Sequence, residues 1–259
     1  MAALRHKTID MKRIRFVLVF LTLLSLFALN SCSTSKRTIN RQDNKSIALN
    51  APNYKQIKKA VETESSEFYY PELLRRFEAA DTTLTAEQIC YFYYGTATRP
   101  EYDPYKSDHV AYAMLKETLK GDTLTEENWQ QAAEIVEKFL KDDPTNLRFH
   151  MYKHNVYSEL YGEESEEAYN AYIQVVMLYS TIVSTGDGKS QETAFHVICV
   201  PDEYALMGMF GLVPKGQALM EKHGRSYDRM DLEENEYGLE ALYFDITVSF
   251  EAMNKMFGH

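Results

Sequence analysis

TEENWQQAAEIVEKFLKDDPTN, residues 125–146, is the stretch that decides the fold class, because it has every feature of one complete amphipathic helix. Thr125 can cap its start, and two glutamates follow where the helix dipole favours negative charge. Pro144 stops it. Between these signals, apolar residues recur at helical spacing: Trp129, Ala132, Ala133, Val136 and Leu140. The pattern predicts a helix with one buried face.

The same spacing predicts further helices on both sides of this stretch, so we assign residues 53–185 to a helical region. In the helix before it, the residues predicted to face inward are Val110, Met114 and Leu115. Before the central stretch, Pro71 begins one helix, Thr85 begins a second that stops at Gly95, and Ser107 caps a third. After it, one helix runs from Asn146 to Gly162, and a longer one begins at about Glu164.

The pattern changes at residues 186–190, GDGKS, where a turn-rich break opens the last third of the chain. Two runs with period-two alternation, Tyr227–Glu233 and Leu239–Val248, predict a hairpin whose turn is Asn235–Gly238. Weaker signals complete this part. Ala194–Val200 predicts a strand that is apolar on both faces, and a short helix capped by Asp202 follows it. A further strand is predicted around Leu219, and a closing helix at Ser249–Phe257.

Together these elements predict an α+β fold. Antiparallel helix pairs come first, and a small antiparallel β-sheet with one or two short helices follows. We expect the α+β region, residues 186–259, to pack on the helical region, residues 53–185, as one compact unit.

The segment QAAEIVEKFLKDDPTN, residues 131–146, also resembles the second helix of a tetratricopeptide unit, with Ala132, Val136, Phe139 and Pro144 at matching offsets. No 34-residue period runs through the region, and the first-helix pattern of that family is missing. The resemblance implies stacked helix pairs of tetratricopeptide-like character. Such pairs either form a peptide-binding groove or serve only as a helical core.

The amino terminus has the features of an export signal. In MKRIRFVLVFLTLLSLFALNSC, residues 11–32, a basic segment leads into an apolar run that is too short to span a bilayer comfortably. Met11 is a possible true start. The run closes on Leu29-Asn30-Ser31-Cys32, which resembles the lipobox of bacterial lipoproteins, although Asn30 is an unusual middle residue. The alternatives are an ordinary secretory signal cut nearby and an uncleaved anchor.

The lipobox resemblance implies that residues 1–31 are removed and that Cys32 receives a diacylglyceryl group, with a further chain on the new amino terminus. Two or more acyl chains make a stable anchor. Because Ser33 and not an acidic residue follows the cysteine, we expect the outer membrane, facing the periplasm. Residues 32–52 are polar and predict a flexible tether.

The charge of the chain limits its partners. The formal net charge is −10, and the first 31 residues hold five basic groups and one acidic group. The remainder therefore carries 23 basic and 37 acidic groups, a charge of −14. Such an acidic body argues against nucleic-acid binding, which needs a basic surface.

Five tyrosines around a proline- and glycine-containing loop are the preferred candidate for a binding surface, because aromatic rings suit sugars and protein hot spots. The alternative is that they pack the first helices with their hydroxyls at the edge. The five are Tyr91, Tyr93, Tyr94, Tyr102 and Tyr105.

Other candidate chemistry is weaker. GDGKS lacks the earlier glycine of a phosphate-binding loop, since Val183 stands there, and a tight turn is the better interpretation. His150 and His154 could share a metal on one helical face but need further ligands, so we expect no metal site. His196 and Cys199 would point to opposite faces of a strand. Cys90 and Cys199 are either buried free thiols, which we prefer, or one disulfide.

The whole mature chain resembles an uncharacterised family of bacterial lipoproteins, domain of unknown function 4919. The resemblance lies in the lipobox, Tyr93–Gly95 with Tyr102–Tyr105, Gly186–Tyr204 and Leu242–Ile246. It implies no activity. We expect a lipid-anchored envelope protein, more in keeping with a non-enzymatic module that binds a protein or glycan than with an enzyme. The alternative is an envelope hydrolase acting through unidentified carboxylates. No cofactor is expected.

Overall fold

The computed structural model describes residues 51–104 and 109–257. Cys32, Tyr105, Ser107, the predicted signal peptide and nearly all of the predicted tether lie outside these ranges. The helices in the described part are α1 (Tyr54–Val61), α2 (Tyr70–Glu78), α3 (Ala86–Thr96), α4 (His109–Thr118), α5 (Glu126–Asp142), α6 (Leu147–Tyr161), α7 (Glu166–Val183), α8 (Val200–Met209) and α9 (Thr247–Phe257).

The predicted helix starts at Thr85, Thr125 and Asn146 are confirmed, because a side-chain cap stands at each of them. The Thr125 hydroxyl accepts from the Asn128 backbone N–H, and the Asn128 side chain accepts from the Thr125 N–H in return. Thr85 and Gln88 form the same reciprocal pair at α3. Each such cap satisfies amide groups that have no partner within the helix.

Consecutive helices α4, α5, α6 and α7 pack against one another in chain order. Between α5 and α6 the rings of Phe139 and Phe149 stack with their centroids 3.8 Å apart. At α4 the prediction is wrong for two of the three inward residues. Leu115 is buried, but Val110 and Met114 are 65% and 51% exposed, because α4 packs mainly on α5 through a single face.

The sheet has four strands in the order β1-β4-β3-β2 within the described residues. Their bounds are β1 (Phe195–His196), β2 (Pro214–Lys222), β3 (Arg225–Leu232) and β4 (Ala241–Asp245). The predicted hairpin is confirmed as the antiparallel pair β3 and β4, with Tyr227 opposite Asp245. The Asn235 side chain donates to the Leu239 carbonyl oxygen, 2.7 Å away, and so closes the turn.

The sheet is mixed and not purely antiparallel, which corrects one part of the prediction. β1 pairs with β4 in parallel, Phe195 opposite Phe244. A parallel pair needs a long crossover connection, and here α8, β2 and β3 supply it. β1 is also shorter than the predicted Ala194–Val200, because Cys199 caps the start of α8 and Pro201 occupies its first turn.

The main core draws on both the helical and the sheet parts. Tyr93 of α3, Leu178 of α7, Leu206 of α8 and Phe244 of β4 are all fully buried members of one hydrophobic cluster. The fold is therefore α+β, with the mixed sheet sharing its core with the helices.

Candidate functional site

The five tyrosines do not form the exposed aromatic face that the sequence predicted. Tyr93 and Tyr94 are fully buried, and Tyr91 is only 8% exposed. They occupy most of the circumference of α3, which is enclosed by α1, α2 and α7, so their rings become core. Tyr102 is half-buried, and Tyr105 lies outside the described residues.

The hydroxyls of Tyr93, Tyr94 and Tyr102 bind a segment of the same chain, residues 196–202. Tyr94 donates to the His196 carbonyl oxygen, 3.0 Å away, and Tyr102 donates to the Ile198 carbonyl oxygen. Tyr93 donates to Oδ2 of Asp202, 2.6 Å away, and accepts from the Ile198 N–H at 3.3 Å. The polar groups of this set are therefore used to hold β1 and α8 against α3.

Asp202 is the centre of this internal contact. It does not cap its own helix as predicted, because it lies within α8. Its Oδ1 instead accepts from the Leu147 N–H, 3.1 Å away, which is an amide at the start of α6. Burial raises the pKa of Asp202 to about 7, although the hydrogen bond from Tyr93 acts in the opposite direction.

A second buried acid, Glu203, follows directly on α8. Neither of its carboxylate oxygens has a hydrogen-bond partner among the described residues. Burial raises its pKa well above the usual range, and the negative charge of Asp228 adds to the shift. Burial also raises the pKa of Asp228, while Nε2 of Gln217 donates to its Oδ2 at 2.7 Å. Burial and the negative charge of Asp228 both disfavour the charged form of Glu203.

These acids have the raised pKa values that acid–base catalysis uses, but they are closed off from solvent. Asp202 and Glu203 are fully buried, and Asp228 is 4% exposed. A substrate would have to displace packed parts of the fold to reach them. The arrangement therefore serves the packing of α8 more directly than it serves chemistry.

A cleft of about 300 Å³ lies between the end of α1, the start of α2 and the loop after α3. It is lined by Val61, Glu62, Tyr69, Pro71, Thr98, Arg99 and Pro100. The loop is the one that carries the predicted tyrosine set. Sequence reasoning did not select Tyr69, although the run Phe68-Tyr69-Tyr70-Pro71 repeats the aromatic–proline pattern of residues 102–105.

Arg99 is held in place at this cleft by two contacts. Its guanidinium carbon lies 4.2 Å from the centroid of the Tyr70 ring, and its Nε donates to Oε1 of Glu101 at 2.7 Å. Glu62 contributes a negative charge to the same lining, and Tyr69 a half-buried ring. Aromatic, apolar and charged groups of both signs thus meet in one accessible place.

The histidine and cysteine candidates lie apart from the cleft. His150 Nε2 contacts the Pro144 carbonyl oxygen at 2.9 Å, and burial lowers its pKa to about 4. His154 Nδ1 contacts the Ala168 carbonyl oxygen at 3.1 Å. No cluster of three or more His, Cys, Asp or Glu side chains suited to a metal occurs within residues 51–104 and 109–257.

His196 and Cys199 have different partners, as the sequence interpretation expected. Nδ1 of His196 lies 3.4 Å from a guanidinium nitrogen of Arg225 and 4.0 Å from Oδ1 of Asp245. Cys199 caps α8 and is buried beside Asp202. Cys199 and Cys90 are both free thiols in the structure.

The GDGKS segment is a tight turn, as the sequence interpretation favoured. The backbone N–H groups of Asp187 and Gly188 both donate to the Thr193 carbonyl oxygen. The Lys189 N–H donates to Oδ1 of Asp187. These amides are therefore committed to the turn and do not cradle a phosphate.

The fold and its sites define an α+β protein with two hydrophobic clusters and a polar cleft beside α3. Within residues 51–104 and 109–257, no helix is long and apolar enough to cross a membrane. A family model matches residues 55–255, and the chain belongs to that family, the Domain of unknown function (DUF4919). No curated protein and no solved structure matches the chain.

Proposed function

We propose that the protein is a lipid-anchored, non-enzymatic component of the bacterial cell envelope that binds a segment of another protein in the cleft between α1, α2 and the loop after α3. The anchor is Cys32 at the outer membrane, and the body faces the periplasm. Both statements go beyond family membership, and each has its own support.

The anchor is supported by the sequence alone. The basic segment, the short apolar run of residues 16–29 and the cysteine at residue 32 stand in the order that a lipoprotein signal requires. The polar residues 33–52 would then separate the folded body from the membrane surface.

The binding role is carried by one observation, the cleft that contains Tyr69 and the fixed guanidinium of Arg99. A half-buried ring beside a positioned cation provides the large, rigid contact area found at protein hot spots. Because Glu62 lies in the same lining as Arg99, the cleft has both a negative and a positive group. Such a cleft suits a polypeptide with charged side chains better than a neutral sugar. A glycan remains an outcome that the experiment below distinguishes.

The tetratricopeptide-like character of α5 and α6 belongs to this proposal as a scaffold. The two helices pack on each other with the small Ala132 and the bulky Val136 fully buried between them. Such helix pairs would give the cleft a rigid support without being its binding surface.

A hydrolase is the second candidate, and only Asp202, Glu203 and Asp228 favour it. They are acids with raised pKa values on adjacent elements, as a general acid requires. Their burial argues against a catalytic role, because a catalytic acid needs access to its substrate. The carboxylate of Glu203, which has no hydrogen-bond partner among the described residues, argues against it as well.

Site-specific photo-cross-linking in living cells tests the binding proposal. A benzoylphenylalanine side chain replaces Tyr69 in one variant and Tyr169, which is 53% exposed on α7, in the control. We expect a discrete protein adduct at Tyr69 that is absent at Tyr169 and is lost when Arg99→Ala is added. Identical adduct patterns at both positions would overturn the proposal. A glycan ligand would leave both lanes without protein adducts, and retention of the chain on peptidoglycan would then depend on Arg99.

A further inference from the structure

Within residues 51–104 and 109–257, no strand pairs with the outer edge of the sheet at β2. β2 is last in the strand order, and within the described residues its ladder partner is β3 alone. The side chains from Lys215 to Leu219 are exposed on both faces of the strand. An exposed edge strand offers unpaired N–H and C=O groups to another chain.

The direction of these backbone groups follows from the ladder between β3 and its neighbours. Ile246 N–H donates to the Ser226 carbonyl oxygen, and Leu232 N–H donates to the Glu240 carbonyl oxygen. The even-numbered residues of β3 therefore bond toward β4. Its odd-numbered residues bond toward β2, as the bond from Glu233 N–H to the Val213 carbonyl oxygen shows just beyond the strand.

Register then decides which residues of β2 point outward. The odd-numbered residues of β3 stand opposite Lys222, Met220, Ala218 and Gly216. In an antiparallel pair the intervening residues turn their N–H and C=O groups to the other side. The outward-facing residues are therefore Gln217, Leu219 and Glu221.

We propose that β2 pairs with β2 of a second copy of this chain, antiparallel and centred on Ala218, so that two four-stranded sheets become one continuous sheet. In this register Gln217 stands opposite Leu219 of the second copy. Both residues have outward-facing backbone groups, so they exchange their hydrogen bonds directly. Such a contact is symmetric, with the same strand on both sides, and it closes as a dimer.

Charge complementarity selects the second copy and this register. With Ala218 opposite itself, Lys215 of each copy stands opposite Glu221 of the other, which gives two opposite-charge pairs. Pairing the strands in parallel would instead bring Lys215 near Lys215 and Glu221 near Glu221. Like charges directly opposite each other destabilise a strand pair, and opposite charges stabilise it.

The length of the contact is limited by the strand itself. A register irregularity lies between Pro214 and Gly216, and the two-residue turn His223-Gly224 ends the strand at the other side. Proline and bulges are devices that end strand pairing. The regular pairing therefore spans residues 216–220, with Lys215 and Glu221 at its two ends, and this short contact predicts a reversible dimer.

Charge reversal tests the proposal on the full chain in detergent, with the dimer dissociation constant measured by sedimentation velocity. We expect Lys215→Glu alone and Glu221→Lys alone each to raise this constant about tenfold, because two attractive pairs become repulsive. Lys215→Glu/Glu221→Lys together restore the parent value. A chain that stays monomeric at all concentrations, or single reversals that change nothing, would overturn the proposal.

Cysteine cross-linking tests the register. Ala218 faces itself as a pair without direct hydrogen bonds, where Cα atoms lie about 4.5 Å apart, within the range that a disulfide accepts. We expect Ala218→Cys to form a covalent dimer on mild oxidation, seen on a non-reducing gel. The control Tyr237→Cys, at an exposed position in the turn after β3, stays monomeric. Equal dimer yields for the two variants would refute the register.

Discussion

The hydroxyl of Tyr93 donates to Oδ2 of Asp202 at 2.6 Å, and 109 residues of chain separate the two. Both side chains are fully buried. The same carboxylate accepts from the Leu147 N–H, so one acid joins α3, α6 and α8. Tyr93, which the sequence suggested for a binding surface, therefore has its role inside the core.

Removing that hydroxyl leaves a buried acceptor with one partner fewer. We expect Tyr93→Phe to lower the free energy of unfolding by about 1–3 kcal/mol, measured by urea denaturation. Tyr91→Phe is the matched control. Its hydroxyl accepts only from Nε2 of Gln56, an exposed side chain, so the loss stays below about 1 kcal/mol. Equal losses for the two variants would contradict the role assigned to Asp202.

The contribution of Asp202 to the free energy of unfolding should fall as the pH rises from 4 to 8, while His150, whose pKa burial lowers to about 4, acts in the opposite direction below about pH 6.5. The pKa of Asp202 is raised from 3.8 to about 7 by burial, so between these values the folded state binds more protons than the unfolded state. At about 1.4 kcal/mol per pKa unit, this group removes on the order of 4 kcal/mol by pH 8. Glu203 acts in the same direction. Urea denaturation of the parent and of Asp202→Asn at a series of pH values measures the contribution of Asp202 as the difference between the two slopes, and equal slopes would contradict the burial of Asp202.

Glu203→Gln isolates one contribution to that slope. A glutamine has nearly the shape of the neutral acid but does not ionise, and Glu203 has no hydrogen-bond partner among the described residues to lose. We expect the variant to match the parent at pH 4 and to be more stable at pH 8. Glu163→Gln, at an exposed position before α7, should behave as the parent at both pH values.

Two glycines with opposite surroundings give a direct test of the turn after α7. Gly188 has a φ of +67°, and an added Cβ would lie 2.4 Å from Cε2 of Phe195. Gly188→Ala should therefore cost more than about 2 kcal/mol, from overpacking and backbone strain together. Gly208 lies in α8 with open space around it, and Gly208→Ala should stabilise by about 0.5–1 kcal/mol. Thermal unfolding of both variants measures the difference, and equal shifts would be evidence against the packing of Phe195 on Gly188.

Lipidation is tested by metabolic labelling with palmitate. We expect label on the parent chain and on Cys90→Ser, whose thiol is half-buried within α3. Cys32→Ser should carry none, because the acylated thiol is gone. Label that persists in Cys32→Ser would refute the anchor.

The elements that the sequence predicted well are those with their own local signals. α5 begins after the cap Thr125 and ends before Pro144, and both signals act within one helical turn. The hairpin of β3 and β4 could be predicted because one face of each strand is buried and because Asn235 and Gly238 mark the turn.

The elements that the sequence predicted poorly depend on distant partners. β2 is exposed on both faces, so no alternation marks it, and its weak signal extended only around Leu219. β1 joins the sheet in parallel with β4, a pairing between residues about 50 positions apart that no local pattern encodes.

The tyrosine set shows the same limit at the candidate site. The sequence around Tyr93 and Tyr94 would be the same whether their hydroxyls contacted a ligand or the segment 196–202. Only the three-dimensional arrangement distinguishes the two cases. The sequence analysis did not locate the cleft, because Tyr69 lies in a different segment from Arg99 and the fold brings them together.

The position of Asp202 late in the chain sets the order in which a nascent polypeptide can complete its fold. The Leu147 amide and the Tyr93 hydroxyl, both in helices made earlier, gain their shared partner only when residue 202 has emerged. Until then, those helices expose apolar faces that the sheet will cover, and a buried donor without its acceptor is costly. The contact that joins α3, α6 and α8 can therefore form only late in synthesis.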